Sequence, residues 1–284
     1  MRDDSLSLED ILEALGTLPA EIEGDGPVTI RRAVPLSASG ARDSLTFSTR
    51  SGSDIRDRIL DNKSAVAIVP LAFAASVPGT VLVRVADPRL AMARVLGALR
   101  PDSSVTLPPG VHPAAVLGEA VVGEDVRIAA GAVVTGAAIL GDRVRIHENA
   151  TVGTTGFGYV RSETGTLEHF PHQGTAVLED DVEVFAHANV DRAALGETRV
   201  GRGTKIDHYA HVGHNCRVGE DVLICARAVL AGGVRIGDRC FIGVGASIRE
   251  KVEIGEDVTV GMGAVVLRNV APGQTVVGVP ARPV

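Results

Sequence analysis

The sequence predicts a mainly β protein in which a small α/β domain precedes a long parallel β-helix. Two observations predict the β-helix: an aliphatic residue recurs at every sixth position, and the residue that follows it is often glycine. The longest unbroken run is Val200, Ile206, Val212, Val218, Ile224, Leu230, Ile236, Ile242, Ile248, Ile254, Val260 and Val266. A six-residue period fits neither a helix nor a hairpin, but it fits a coil whose flat sides each take six residues.

Two shorter runs precede this one. They are Val116, Val122, Ile128, Val134, Leu140, Ile146 and Val152, and then Leu178, Val184 and Val190. Three six-residue sides make one triangular coil, with the aliphatic side chain pointing inward and the next residue at the corner. Each buried aliphatic side chain contributes roughly 1.5–3 kcal/mol, so stability accumulates coil by coil.

The region before the repeats, residues 1–98, is predicted to form the α/β domain. A capping-box-like segment at Ser7 begins a helix that ends near Gly16. Strands are predicted at 28–34, 44–48, 65–69 and 81–85, and a second helix at 87–99. A polar, proline-rich linker at 99–109 then leads into the β-helix domain at 110–284.

The six-residue register breaks at 153–176 and, more briefly, at 193–199. The first break is predicted to be an inserted loop, and it holds three of the chain's eight Phe and Tyr rings. A long loop that leaves a regular solenoid usually carries function, and a tolerated surface insertion is the alternative.

Composition excludes some classes of function. The net charge is −7 and no basic stripe is present, so we expect no nucleic-acid partner. The longest apolar stretch, 65–77, is broken by Pro70 and is too short to span a bilayer, which predicts no integral membrane segment. Three cysteines without CxxC spacing, in a chain with no apolar signal region, predict reduced thiols and a cytoplasmic protein.

Most β-helices built from such six-residue (hexapeptide) repeats are acyltransferases. Acyl transfer needs a general base and an N–H donor for the oxyanion. His208, His211 and His214 crowd one side of a coil and are expected at or near the surface. Gly232 lies one full coil after His214, so its N–H is expected next to that imidazole. Asp207 is expected nearby, orienting the His214 ring. The alternative is that these histidines are solvent-exposed surface residues without a catalytic role.

A metal site is the second alternative, because some hexapeptide solenoids are zinc carbonic anhydrases. Those enzymes need three histidines, including a pair five residues apart. No two histidines of this chain have that separation. The sequence therefore predicts no metal site.

A series of motifs extends over nearly the whole chain. They are Asp43-Ser44-Leu45-Thr46-Phe47, Ala86-Asp87-Pro88-Arg89-Leu90, Gly156-Phe157-Gly158-Tyr159, Phe170-Pro171-His172, Asp191-Arg192-Ala193-Ala194-Leu195, Gly203-Thr204-Lys205-Ile206-Asp207 and His214-Asn215. In order and spacing this series resembles the UDP-3-O-acylglucosamine N-acyltransferase family of lipid A biosynthesis. The resemblance to hexapeptide enzymes implies that the β-helix is left-handed.

This resemblance implies acyl transfer from a thioester donor, acyl carrier protein or CoA, to the amine of a nucleotide-linked amino sugar, with no bound cofactor. It implies that His214 is the general base and that the Gly232 backbone binds the oxyanion. A homotrimer with its active sites in the clefts between subunits is also implied.

Substrate contacts follow from the same resemblance. Phe47 is expected to bind the nucleotide in the N-terminal domain, and Phe157 and Tyr159 of the inserted loop are expected to contact the sugar nucleotide. The remaining expected substrate-binding residues are His172, Asn215 and Lys251.

Three departures leave alternatives open. Arg50-Ser51-Gly52-Ser53 replaces the family's Asn-Pro-Lys-Tyr segment, which leaves the identity of the base open. Lys251 replaces a second active-site histidine. The sequence ends at Val284 without the family's C-terminal helices, as CoA-dependent sugar acetyltransferases do. The alternatives are therefore an acetyl-CoA-dependent sugar N- or O-acetyltransferase and a non-catalytic nucleotide-sugar-binding protein.

Overall fold

The computed structural model describes residues 5–24, 26–99 and 108–284. The chain divides into two compact units, Met1–Thr106 and Leu107–Val284. Most of the predicted linker, residues 100–107, lies outside the described residues.

The N-terminal unit is a five-stranded sheet with three helices. Its elements are α1 (Leu8–Leu15), β1 (Ala20–Glu23), β2 (Arg32–Ala33), β3 (Ser44–Phe47), α2 (Ser53–Asn62), β4 (Val66–Pro70), β5 (Val81–Val85) and α3 (Pro88–Ala98). The strand order is β1-β5-β4-β3-β2, with β2 to β5 parallel and β1 antiparallel to β5. Among the described residues, no helix has the length and apolar character needed to cross a membrane.

Both predicted helices of this unit form where their caps indicate. Ser7 caps α1 through a capping box with Asp10, and Asp87 accepts hydrogen bonds from the first turn of α3. The strand predicted at 28–34 is shorter, because only Arg32–Ala33 pairs along β3. The sequence did not predict β1 or α2.

The second unit is a solenoid with three parallel sheets, one on each side of the coil. The first side consists of Val116–Leu117, Val133–Val134, Thr151–Thr154, Asn189–Asp191, His211–Val212, Val229–Leu230, Ser247–Ile248 and Val265–Val266. The second side consists of Val121–Val122, Ala138–Leu140, Thr175–Leu178, Glu197–Val200, Arg217–Val218, Arg235–Ile236 and Glu253–Ile254. The third side consists of Gly110–Val111, Arg127–Ile128, Arg145–Ile146, Glu183–Val184, Lys205–Ile206, Leu223–Ile224, Phe241–Ile242, Thr259–Val260, Thr275–Val277 and, antiparallel at the edge, Arg282–Pro283.

The register between coils is the predicted one of three six-residue sides, since Val212 pairs with Leu230 and Leu230 with Ile248. Every aliphatic residue of the six-residue series from Ile128 to Val266 is at most 4% exposed. These observations confirm the predicted fold class, a small α/β domain followed by a left-handed parallel β-helix of hexapeptide repeats.

The first coil departs from the series. Val116 is 60% exposed, and Leu117 pairs with Val134 in its place. The first coil is therefore one residue shorter than the regular coil, and its inward position is Leu117 and not Val116. Val116 was assigned to the wrong face.

The corners are built differently from the prediction. The left-handed backbone conformation falls three residues after the inward aliphatic residue, as at Asn215 and Lys251, both with φ near +60°. The glycine directly after the aliphatic residue has another cause. A Cβ on Gly237 would lie 2.5 Å from the backbone nitrogen of Glu256, so the next coil leaves no room for a side chain.

The break at 153–176 is an insertion into one coil. Across it, Val152 pairs with Val190, whereas the regular register would pair it with Phe170. The inserted loop contains an antiparallel hairpin of Tyr159–Arg161 and Leu167–His169. The second break is smaller, because Leu178 pairs with Val200 in place of Gly196, the partner that the regular register would give.

Truncation of one inward side chain tests the contribution of the core. Ile242 is fully buried, so Ile242→Ala is expected to lower the free energy of unfolding by about 2–5 kcal/mol. The matched control is Ile139→Ala, at an outward position that is 38% exposed, with an expected loss below about 1 kcal/mol. Urea unfolding measures both, and equal losses would contradict the assignment of inward and outward faces.

Candidate active site

The His214 ring is oriented by a side chain whose own orientation is fixed by the backbone. The Asn215 Oδ1 accepts the Ala194 N–H at 3.1 Å, and the Asn215 Nδ2 donates to the Leu195 carbonyl at 2.8 Å. The same Oδ1 lies 3.1 Å from the His214 Nδ1. Because this oxygen only accepts, Nδ1 carries the proton in the neutral ring and Nε2 keeps its lone pair. The arrangement presents Nε2 as a base.

Gly232 lies against that nitrogen. A Cβ on Gly232 would be 2.6 Å from the His214 Nε2, so a side chain at this position would displace the imidazole. The neighbouring Ala231 and Gly233 N–H groups donate to other coils, whereas the Gly232 N–H has no hydrogen bond within the described part of the chain. A basic nitrogen and a free N–H donor thus lie side by side, as their spacing of one coil predicted.

His172 returns from the inserted loop and packs on His214. The ring centroids are 5.0 Å apart with an interplanar angle of 77°, an edge-to-face contact. His172 is 6% exposed, and its Nδ1 donates to the Phe170 carbonyl at 3.1 Å. Its Nε2 is buried without a hydrogen-bond partner among the described residues. The loop therefore contributes a buried histidine directly to the neighbourhood of the candidate base.

A polar network that the sequence analysis did not assign lies on the same side of the solenoid. The Asn189 Oδ1 accepts hydrogen bonds from the Thr151 and Thr154 hydroxyls. This orients the Asn189 Nδ2, which donates to the Asp191 Oδ1 at 2.7 Å and to the His211 Nδ1 at 3.1 Å. Asp191 is 6% exposed. The His211 Nε2 is 3.7 Å from the Asp191 Oδ2. A buried carboxylate therefore lies near His172, and the Asp191-Arg192 motif was the one signal for it.

Asp207 does not have the predicted role. Its Oδ1 accepts from the His208 backbone N–H at 2.7 Å and lies 2.6 Å from the His208 Nδ1, while its Oδ2 accepts from the Ala226 N–H. Burial raises the pKa of Asp207, but these bonds outweigh it and leave that pKa below its usual value. The contact that orients His214 comes from Asn215, which corrects the prediction for Asp207.

The other predicted substrate-binding residues are more exposed. Lys251 lies at the same corner as His214, two coils further along, and its N–H donates to the Gly232 carbonyl at 3.1 Å. Phe157 and Tyr159 stand at the start of the hairpin, 88% and 49% exposed, with ring centroids 5.2 Å apart. Phe47 ends β3 in the N-terminal unit and is half-buried.

The three cysteine thiols are poor nucleophiles. Burial raises the pKa of Cys216 to about 12, and burial also raises the pKa values of Cys225 and Cys240. Within the described residues, no group of three or more His, Cys, Asp or Glu side chains is arranged to hold a metal ion.

Comparison with known proteins identifies the family of the β-helix and of the chain. The family model for bacterial transferase hexapeptide repeats, described as six repeats, matches residues 119–154, 197–232 and 233–268. The UDP-N-acetylglucosamine acyltransferase structure from Campylobacter jejuni is 25% identical, with a TM-score of 0.52 over 62% of this chain and 74% of that one. A Bacteroides fragilis acyltransferase structure, 20% identical with a TM-score of 0.53, shares the fold.

Three curated relatives carry one name, UDP-3-O-acylglucosamine N-acyltransferase. The Coxiella burnetii (strain RSA 493) protein is 30% identical over 263 residues, which cover 80% of this chain and 74% of the relative. The Gloeobacter violaceus protein, numbered 1, is 33% identical, with coverages of 75% and 70%. The Anaeromyxobacter protein is 31% identical, with coverages of 78% and 73%. By this likeness over most of its length, the chain belongs to the UDP-3-O-acylglucosamine N-acyltransferase family.

Proposed function

We propose that this chain transfers an acyl group from a thioester donor to the amine of a nucleotide-linked amino sugar, with His214 as the general base. The observation that carries the proposal is the position of the His214 Nε2 against Gly232 of the adjacent coil, whose N–H has no hydrogen bond among the described residues. Family membership gives the class of substrate, since the relatives are named for an acylated UDP-glucosamine acceptor.

The reaction follows from these two groups. The His214 Nε2 takes a proton from the amine as the amine nitrogen attacks the thioester carbonyl and the C–N bond forms. The carbonyl oxygen gains negative charge and accepts the Gly232 N–H, which stabilises the tetrahedral intermediate. The C–S bond then breaks, and the imidazolium returns the proton to the leaving sulfur, so that amide and free thiol are released.

Both predicted recognition elements enter the proposal. The exposed rings of Phe157 and Tyr159 offer apolar surface for the sugar nucleotide. In the N-terminal unit, Phe47 offers a ring for the base, and Arg50 pairs with Asp54 at 3.4 Å in the segment that replaces the family's Asn-Pro-Lys-Tyr. The proposal also includes a homotrimer, in line with the resemblance.

The donor is either acyl carrier protein or CoA, because both present the acyl group on a phosphopantetheine thiol. Thiol release from acetyl-CoA, long-chain acyl-CoA and 3-hydroxyacyl carrier protein, each with a panel of UDP- and dTDP-amino sugars, distinguishes them. Acceptor-dependent release with one donor identifies it. Nucleotide-sugar binding without release from any donor would favour the non-catalytic binding protein.

Removal of the base tests its role. His214→Ala is expected to lower kcat by about 10²–10⁴-fold, since it removes the nitrogen that lies against Gly232. The control is His208→Ala, an exposed histidine on the same coil, with kcat expected within about twofold of wild type. Both are measured by acceptor-dependent thiol release, and a fully active His214→Ala enzyme would contradict the assignment.

The second test concerns the contact between Gly232 and the His214 ring of the preceding coil. A Cβ at position 232 meets the His214 ring, so Gly232→Ala is expected to displace the imidazole and to lower kcat by roughly 10²-fold or more. Gly97→Ala is the control, because a Cβ at Gly97 meets no atom within 4 Å. Wild-type kcat in a folded Gly232→Ala protein would rule out the proposed oxyanion site.

A further inference from the structure

Two residues that are each 6% exposed, His172 and Asp191, bring acceptor atoms to the same small space beside the candidate base. The His172 Nε2 and the Asp191 Oδ2 lie 2.9 and 3.2 Å from the position that a Cβ on Gly156 would occupy. Gly156 carries no side chain that would fill the space between these two atoms. A Cβ on Gly158 would lie 2.6 Å from the His172 Cε1, so a second glycine of the loop is needed to admit the ring.

Neither acceptor has a donor at hydrogen-bond distance among the described residues. The His172 Nδ1 donates to the Phe170 carbonyl, so in the neutral ring Nε2 is a bare lone pair, and it is buried without a partner. The Asp191 Oδ1 accepts from Asn189, whereas the nearest donor to Oδ2, the His211 Nε2, is 3.7 Å away. The His172 Nε2 is a buried acceptor without a donor, which is costly for the fold to keep unless a ligand supplies the donor.

The chemical character of the His172 Nε2 and the Asp191 Oδ2 indicates which kind of group would bind to them. A carboxylate and a lone-pair nitrogen in a site shielded from water attract a group that has several N–H donors and a positive charge. A hydroxyl has one donor and no charge, so it satisfies one acceptor and leaves the carboxylate uncompensated. The pair therefore discriminates between an ammonium group and a hydroxyl of similar size.

We propose that Asp191 and His172 form the subsite that binds the ammonium group of the acceptor sugar before acyl transfer. The ammonium group passes one proton to the His172 Nε2, which later releases it to solvent, and the neutral amine that remains then attacks the thioester. This inference rests on the proposed function and adds the residues that select an amine over a hydroxyl. The His172 and His214 rings are in edge-to-face contact with centroids 5.0 Å apart, so a nitrogen bound at His172 lies close to the His214 ring. Asn189 and His211 are positioning residues, because they hold the Asp191 carboxylate and touch no reacting atom.

Binding of two probes that differ in one substituent tests the subsite. UDP-glucosamine and UDP-glucose carry an amine and a hydroxyl at the same carbon. Calorimetry with wild-type protein is expected to show about tenfold or greater preference for the amine. In Asp191→Asn, which keeps the size of the side chain and removes the charge, the preference is expected to fall below about threefold, with UDP-glucose binding unchanged.

A second pair of variants covers the case in which Asp191→Asn does not fold. His172→Phe keeps a ring against His214 and removes the acceptor, so it is expected to lower the amine preference. His172→Gln offers an amide oxygen as acceptor and is expected to restore part of that preference. Asp238→Asn is the control. The Asp238 carboxylate accepts a hydrogen bond from the Glu220 N–H of the solenoid, so the same substitution is made at a carboxylate that already has a donor.

The outcomes separate the subsite from the proposed function. An amine preference that survives both Asp191→Asn and His172→Phe, or its absence from wild type, would overturn the subsite, whatever acyl transfer the enzyme shows. A preference that depends on both residues supports the subsite, even if no thioester donor yields thiol release and the proposed reaction fails.

Discussion

The stacking of coils in a regular register of three six-residue sides is the constraint on which the rest of this structure depends. Backbone hydrogen bonds join each coil to the next, and the buried aliphatic residues of neighbouring coils align, as Val212, Leu230 and Ile248 do. Corners stack on corners in the same way. The register thereby places Gly232 against His214, although the two residues belong to different coils.

The candidate site lies where this regularity is interrupted. The inserted loop brings His172 back onto the solenoid, and the shorter insertion before Val200 places Ala194 and Leu195 where they fix the Asn215 amide. One insertion thus supplies a buried ring beside the base, and the other supplies the bonds that determine its tautomer. A solenoid without these interruptions would have the histidine but not its orientation.

Contacts between coils were predictable from the sequence, whereas contacts around a coil were not. The period of six fixes which residues point inward and which lie one coil apart, so the proximity of His214 and Gly232 followed from counting. Asp207 was assigned to His214 by closeness in sequence, but its carboxylate turns to His208 because corner conformation decides lateral contacts. The Asp191 network depends on the path of a loop that has no period. Helix α2 was missed because Ile55 and Ile59 are its only buried apolar residues.

The central claim is that the backbone-fixed Asn215 amide leaves the His214 Nε2 unprotonated and available as a base. The most direct measurement is long-range ¹H–¹⁵N NMR of protein with ¹⁵N-labelled histidine, near neutral pH, with the His214 signals assigned from the His214→Gln spectrum. We expect Nδ1 to carry the proton and Nε2 to show the chemical shift of an unprotonated ring nitrogen. A neutral ring protonated at Nε2 would contradict this claim, because that nitrogen could not accept a proton from the attacking amine.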